Sequence, residues 1–139
     1  MTQNLYPFSP ETSESAWRRL LRGGPLEHLP RKEVDLMLLL THAAAQFAAD
    51  RTYSETEVSE ILKVWLAKFA SPHGVDHVTV RRYLSDLGFL TRDPAGEVYQ
   101  PDSEKLEAML EPATRKVKPG FLLKEIEFDR EQRRKQFQS

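Results

Sequence analysis

Between Asp76 and Tyr99 the chain has few conformational choices. Asp76-His77-Val78-Thr79-Val80-Arg81-Arg82-Tyr83-Leu84 opens on a residue suited to cap a helix and sets Val80 and Leu84 one turn apart. Gly88 is placed to end that helix. Asp93-Pro94-Ala95-Gly96 then has the residues of a type I turn, with Asp first, Pro second and Gly fourth. Phe89 to Arg92 and Glu97 to Gln100 flank the turn as two strands, and Pro101 ends the second. A short helix is therefore expected to run straight into a tight β-hairpin. Val80, Leu84 and Leu87, with Tyr83 beside them, should point inward. His77, Thr79, Arg81, Arg82, Ser85 and Asp86 are left partly or wholly outward.

The upstream sequence supplies more helices. Ser9-Pro10-Glu11 is a helix start, with a capping serine, proline at the first helical position and glutamate at the positive end of the dipole. Trp17, Leu20 and Leu21 form its apolar face, and Gly23-Gly24-Pro25 stops it. This piece should dock on the main body as an N-terminal extension. Pro30 opens a second helix, expected to reach about Ala48, with Val34, Met37, Leu38, Thr41, Ala45 and Ala48 at the helical period. Leu36, Leu39 and Leu40 make it apolar on several sides, which suits the centre of a core or a dimer interface. Arg51-Thr52-Tyr53 reads as a short extended link. Ser54-Glu55-Thr56-Glu57 fits a capping box, and Val58, Ile61, Leu62, Trp65 and Phe69 follow at spacings of three and four to about Ala70, with Trp65 and Phe69 either in the core or projecting as an interaction surface. Ser71-Pro72-His73-Gly74 breaks the chain.

Downstream, Ser103 to Leu110 is a helix that docks through Leu106, Met109 and Leu110, and Pro112 ends it. Residues 112 to 120 read as a basic linker. Phe121 to Phe137 can be helical, with Glu131 and Lys135 one turn apart, but its apolar residues keep no clean stripe. Its order is expected to depend on a partner. From Pro112 onward eight basic residues face four acidic ones, so a tail of +4 follows a body of −5 in a chain of net −1. A basic tail on an acidic body can contact phosphates, or can simply be a solvated helix face.

Two helices followed by a helix that enters a hairpin is the order of elements in a winged helix-turn-helix. The expected fold is mainly α with a small β-hairpin, a winged helix-turn-helix core carrying an N-terminal helix and a C-terminal helical extension. The divisions are 1–25 for the N-terminal extension, 26–101 for the core domain, and 102–139 for the C-terminal helix and basic tail.

Particular residues make the chain resemble the bacterial DUF2087 family. They are Tyr53-Ser54-Glu55-Thr56-Glu57-Val58-Ser59-Glu60-Ile61-Leu62-Lys63, Asp76-His77, Arg81-Arg82, Leu84, Gly88, Leu90, Arg92-Asp93, Gly96, Tyr99 and, upstream, Leu29-Pro30-Arg31-Lys32. The resemblance covers roughly residues 26 to 100 and implies a winged-helix core in a transcriptional regulator. The chain departs from the family pattern at Ser59, where asparagine is usual. It also departs between Lys63 and Asp76, where it is longer by about two helical turns. That length is expected to extend the helix carrying Trp65 and to change the loop before the recognition helix.

These features lead to an expected DNA-binding protein. Its recognition helix, about 76–87, enters the major groove and its wing, 89–100, lies on the backbone of double-stranded DNA. Arg81 and Arg82 can each make paired hydrogen bonds to guanine or grip a phosphate. His77 and Thr79 near the helix start, and Arg92 on the wing, complete the candidate DNA-binding set. A homodimer is expected, because one recognition helix buries little surface and paired half-sites multiply affinity. The alternative is a winged-helix module that binds protein through its C-terminal tail, without DNA.

Other chemistry finds little support. No cysteine is present, so disulfides and thiolate metal sites are excluded. No phosphate-binding glycine loop or nucleophile elbow occurs, so no enzyme and no cofactor is expected. His73, Asp76 and His77 are close in sequence, but Pro72 and Gly74 take His73 off the helix and argue against a metal. His42 on an apolar helix reads as a satisfied core residue, and His28 has no evident partner. Met1 to Pro7 lacks a basic region followed by an apolar core, and Leu36 to Leu40 is too short to span a bilayer. A cytoplasmic protein without a signal peptide or membrane segment is the expectation.

Overall fold

The computed structural model describes residues 5–138. The leader expectation for Met1 to Pro7 therefore rests partly on Met1 to Asn4, which lie outside the described residues. Helix α1 spans Pro10–Leu20, and the Ser9 hydroxyl accepts from the Thr12 amide at 3.1 Å. Trp17 and Leu21 are fully buried. Arg19 of this helix holds the buried Asp35 carboxylate through two hydrogen bonds of 3.0 and 2.6 Å, which ties α1 to the next helix.

Helix α2 spans Glu33–Ala44 and is shorter than expected at both ends. Lys32 remains extended and offers no side-chain cap, so the helix starts beyond Pro30. At the other end Gln46 and Phe47 donate to Ala43 and Ala44, three residues back. That tightening turns Phe47 into the core, edge-on to Tyr53 with ring centroids 5.2 Å apart. Leu38 to Ala44 are all buried, which settles this helix as the centre of the core.

The hairpin is part of a larger sheet. Strands β1 (Tyr53–Ser54), β2 (Leu90–Arg92) and β3 (Val98–Pro101) are antiparallel in the order β1-β3-β2. Tyr53 pairs with Tyr99 and Leu90 with Pro101. The segment read as a link is thus an edge strand, fixed by burial of both tyrosines and by the Ala48 amide donating to the Tyr53 hydroxyl at 2.8 Å. The turn is as expected: Gly96 has φ of 73° and its amide donates to the Asp93 carbonyl at 2.9 Å.

Helix α3 spans Glu55–Leu66 and begins with a complete capping box between Ser54 and Glu57. It ends before Ala70 and is not lengthened. The chain instead peels away after Leu66 so that Phe69 and Ser71 can bond Leu26, at 2.9 and 2.8 Å, in a short parallel bridge. Gly74 lies so close to the Glu27 carbonyl that a Cβ would collide with it.

Helix α4 spans His77–Asp86 and packs on α3. Val80 and Leu84 are buried as expected, but Leu87 is 38% exposed and Tyr83 is 37% exposed. Gly88, at φ 83°, reverses the chain at once, so Phe89 and Leu90 take the inward places that Leu87 was expected to share.

Helix α5 spans Ser103–Met109, capped by Asp102, and buries Leu106 and Met109, with Leu110 buried just beyond it. The basic linker is largely ordered: Pro112–Lys116 form a 3-10 helix, and Pro119–Gln138 form helix α6. Leu122 and Leu123 bury α6 against the body, and Arg18 on α1 pairs with Glu125 at 3.2 Å. The start of this helix thus has its partner within the chain. The two extensions also meet: Phe8 bridges Leu110, and the Thr114 hydroxyl donates to the Phe8 carbonyl at 2.8 Å. One buried cluster runs through the core domain and both extensions. Among the described residues no helix is long and apolar enough to cross a membrane.

Candidate nucleic-acid interface

The candidate residues lie on α4 and on the β2–β3 turn. Asp76 fixes the start of α4. Its carboxylate accepts from the Val78 amide at 3.2 Å and from the Thr79 hydroxyl at 3.0 Å. Desolvation works to raise this carboxyl, but those bonds and the neighbouring His77 hold it below its ordinary value. Thr79 is thereby engaged in the cap, and His77 Nδ1 stands 3.8 Å from the Asp76 carboxylate.

The two arginines have different surroundings. The Arg81 side chain is only 18% exposed; its guanidinium donates to Ser59 Oγ at 2.7 Å and pairs with Glu55 at 3.1 Å. Both partners lie on α3, so Arg81 clips α4 to the helix before it. Arg82, the next residue, is exposed and has no hydrogen-bond or ion-pair partner among the described residues. Tyr83 is exposed next to it.

Arg92 is exposed at the end of β2, and its side chain passes along Gly96, where a Cβ would sit 3.7 Å from the guanidinium. Asp93 organises the turn beneath it. Its carboxylate accepts from the Val98 amide at 3.0 Å and the Glu97 amide at 2.7 Å, and the Val98 bond does most to lower its pKa. Of the sequence-predicted set, then, Arg82 and Arg92 are open, His77 and Thr79 are gathered at the helix start, and Arg81 is occupied. Sequence reading missed Glu55 and Ser59 as its partners, since they belong to another element. It also missed Tyr83 as an exposed neighbour of Arg82.

His42 lies far from solvent on α2. It shares a 2.5 Å hydrogen bond through Nε2 with Ser13 Oγ and meets Trp17 edge-on at 5.6 Å. Burial pushes its imidazole down from 6.5 to about 4. His28 Nδ1 stands 3.1 Å from the Leu29 carbonyl.

A family model described as "Uncharacterized protein conserved in bacteria (DUF2087)" matches residues 25–101. No curated protein and no solved structure matches the chain.

Proposed function

The chain belongs to the DUF2087 family, and from that footing we propose that it is a DNA-binding transcriptional regulator built on a winged helix-turn-helix. The observation that carries the reading is the order α2-β1-α3-α4-β2-β3 with strand order β1-β3-β2, joined to an unpaired Arg82 on the exposed side of α4. In a winged helix that order makes α4 the recognition helix and the β2–β3 hairpin the wing.

The dimensions suit the role. Helix α4 has 10 residues, about 15 Å of helix, against a major groove about 12 Å wide. Arg82 is the direct reader, able to fork onto a guanine or grip a phosphate. His77 at the helix start and Arg92 on the wing contact the backbone. Arg81 acts through position: by holding Glu55 and Ser59 it sets the angle of α4 on α3. Thr79 supports the same helix start through Asp76. A homodimer would present two such helices to successive half-sites.

The test is fluorescence anisotropy on random duplex DNA across a salt series. Binding should weaken steeply with salt, and Arg82→Ala should weaken it by about 1–3 kcal/mol without changing the fold. Arg81→Ala should instead lower stability along with affinity. Folded protein that fails to bind at low salt would overturn the reading. A second reading, a protein-binding module acting through the tail, is favoured by Phe128 and Phe137, exposed on α6. It would require partner capture that survives Arg82→Ala and is lost when residues 124–139 are removed.

A further inference from the structure

A cavity of about 520 Å³ opens between the end of α3, the 3-10 helix and the start of α6. Its wall contains Lys68, Arg115, Lys118 and Lys124, and no aspartate or glutamate. Among the described residues none of these four side chains has an ion pair or a hydrogen bond. What sets these four apart is their place: they line one concavity whose wall holds no carboxylate, whereas Arg18, Arg19, Arg51, Lys63, Arg81 and Arg134 each have a carboxylate partner. Four exposed cations that line one concavity without a counter-charge repel one another, and a bound anion would relieve that repulsion.

The rest of the wall is aromatic. Trp65 is buried with one side on the cavity, and Phe121 stands at it 63% exposed. A free inorganic anion would leave both rings unused. The volume lies in the range of small-molecule sites. The cations come from three segments that the fold holds together. Gly120 lets the first turn of α6 approach α3's end closely, since a Cβ there would come 2.8 Å from the Lys68 Cβ.

We propose that this cavity binds a small organic anion, one whose carboxylate, sulfonate or phosphate meets the Lys68, Arg115, Lys118 and Lys124 cluster while a flat apolar body lies between Trp65 and Phe121. Cations supply the attraction and the rings supply the desolvated surface. The site lies largely outside α4 and the wing and stands independently of DNA binding.

The probe is 1-anilinonaphthalene-8-sulfonate, an aromatic sulfonate whose emission rises in apolar surroundings and which accepts energy from tryptophan. Titration of the full chain should give one saturable site with energy transfer from tryptophan. Lys118→Glu and Arg115→Glu should each weaken binding at least about tenfold, with melting temperatures close to wild type, while Arg82→Ala leaves it unchanged. Naphthalene-2-sulfonate should displace the probe where the same concentration of sulfate does not. Unsaturable binding, or binding indifferent to both charge reversals, would overturn the proposal. Equal displacement by sulfate would reduce the site to a plain anion contact and overturn the apolar half. If Lys118→Glu and Arg115→Glu instead left the probe bound and abolished duplex DNA binding, the cations would belong to the DNA surface and the proposal would fall.

Discussion

Acid should destabilise this protein through His42 in a way that one substitution isolates. The imidazole is enclosed by Ser13 and Trp17, with its pKa pushed by burial from 6.5 to about 4. In the unfolded chain it takes up a proton as pH falls through 6.5, whereas in the folded chain it does not until about 4. The unfolded state therefore binds more protons across that window, and stability falls as pH falls. The contribution is about 3 kcal/mol, most of it lost between pH 7 and pH 4. Glu57, held low chiefly by the Ser54 amide, and Asp93, held low chiefly by the Val98 amide, also favour the folded state above their own titration ranges. So does Asp76, where burial opposes the lowering. These carboxylates are common to wild type and to His42→Gln, so their effects cancel in the comparison. Urea unfolding at a series of pH values should show the stability advantage of wild type over His42→Gln shrinking by about 3 kcal/mol from pH 7 to pH 4. A difference that stays flat with pH, or an imidazole that titrates near 6.5 by NMR in the folded protein, would refute the argument.

Two further substitutions test the scaffold. Gly74→Ala drives a methyl into the Glu27 carbonyl and should cost about 1–3 kcal/mol, read as a lower urea midpoint with unchanged slope; a neutral result would mean the two segments are not in contact. Ser54→Ala removes the acceptor for the Glu57 amide at 3.1 Å and should cost about 1 kcal/mol by the same assay.

What could be read from the sequence was what neighbours decide. Ser9, Ser54 with Glu57, and Asp76 announce their helices because each cap bonds an amide two or three residues on. The Asp93–Gly96 turn is legible for the same reason. The third strand was not, because Tyr53 has no local cue to its pairing with Tyr99. The ends of α2 and α3 were overrun because the helical period continues through Ala48 and Phe69, while tertiary contacts, Phe47 on Tyr53 and Phe69 on Leu26, take the backbone elsewhere. At the candidate site, sequence could name both arginines but could not tell them apart. Glu55 and Ser59 choose Arg81 across the α3–α4 contact, and only the fold brings them there. The cation-lined cavity was invisible for a similar reason, since its walls come from segments distant in the chain.

The union of Phe8 with Leu110 and Thr114 also sets the order in which the molecule can be finished during synthesis. Thr114 follows Phe8 by 106 positions, and a ribosome adding about 5–20 residues per second needs roughly 5–20 s to make that stretch. Until then Phe8 has no backbone partner, although Trp17 can already meet His42 and Phe69. The Phe8 segment is thus among the last parts to reach its native place, and a nascent chain halted after Pro101 would leave Phe8 without the Met109, Glu111 and Thr114 groups that hold it.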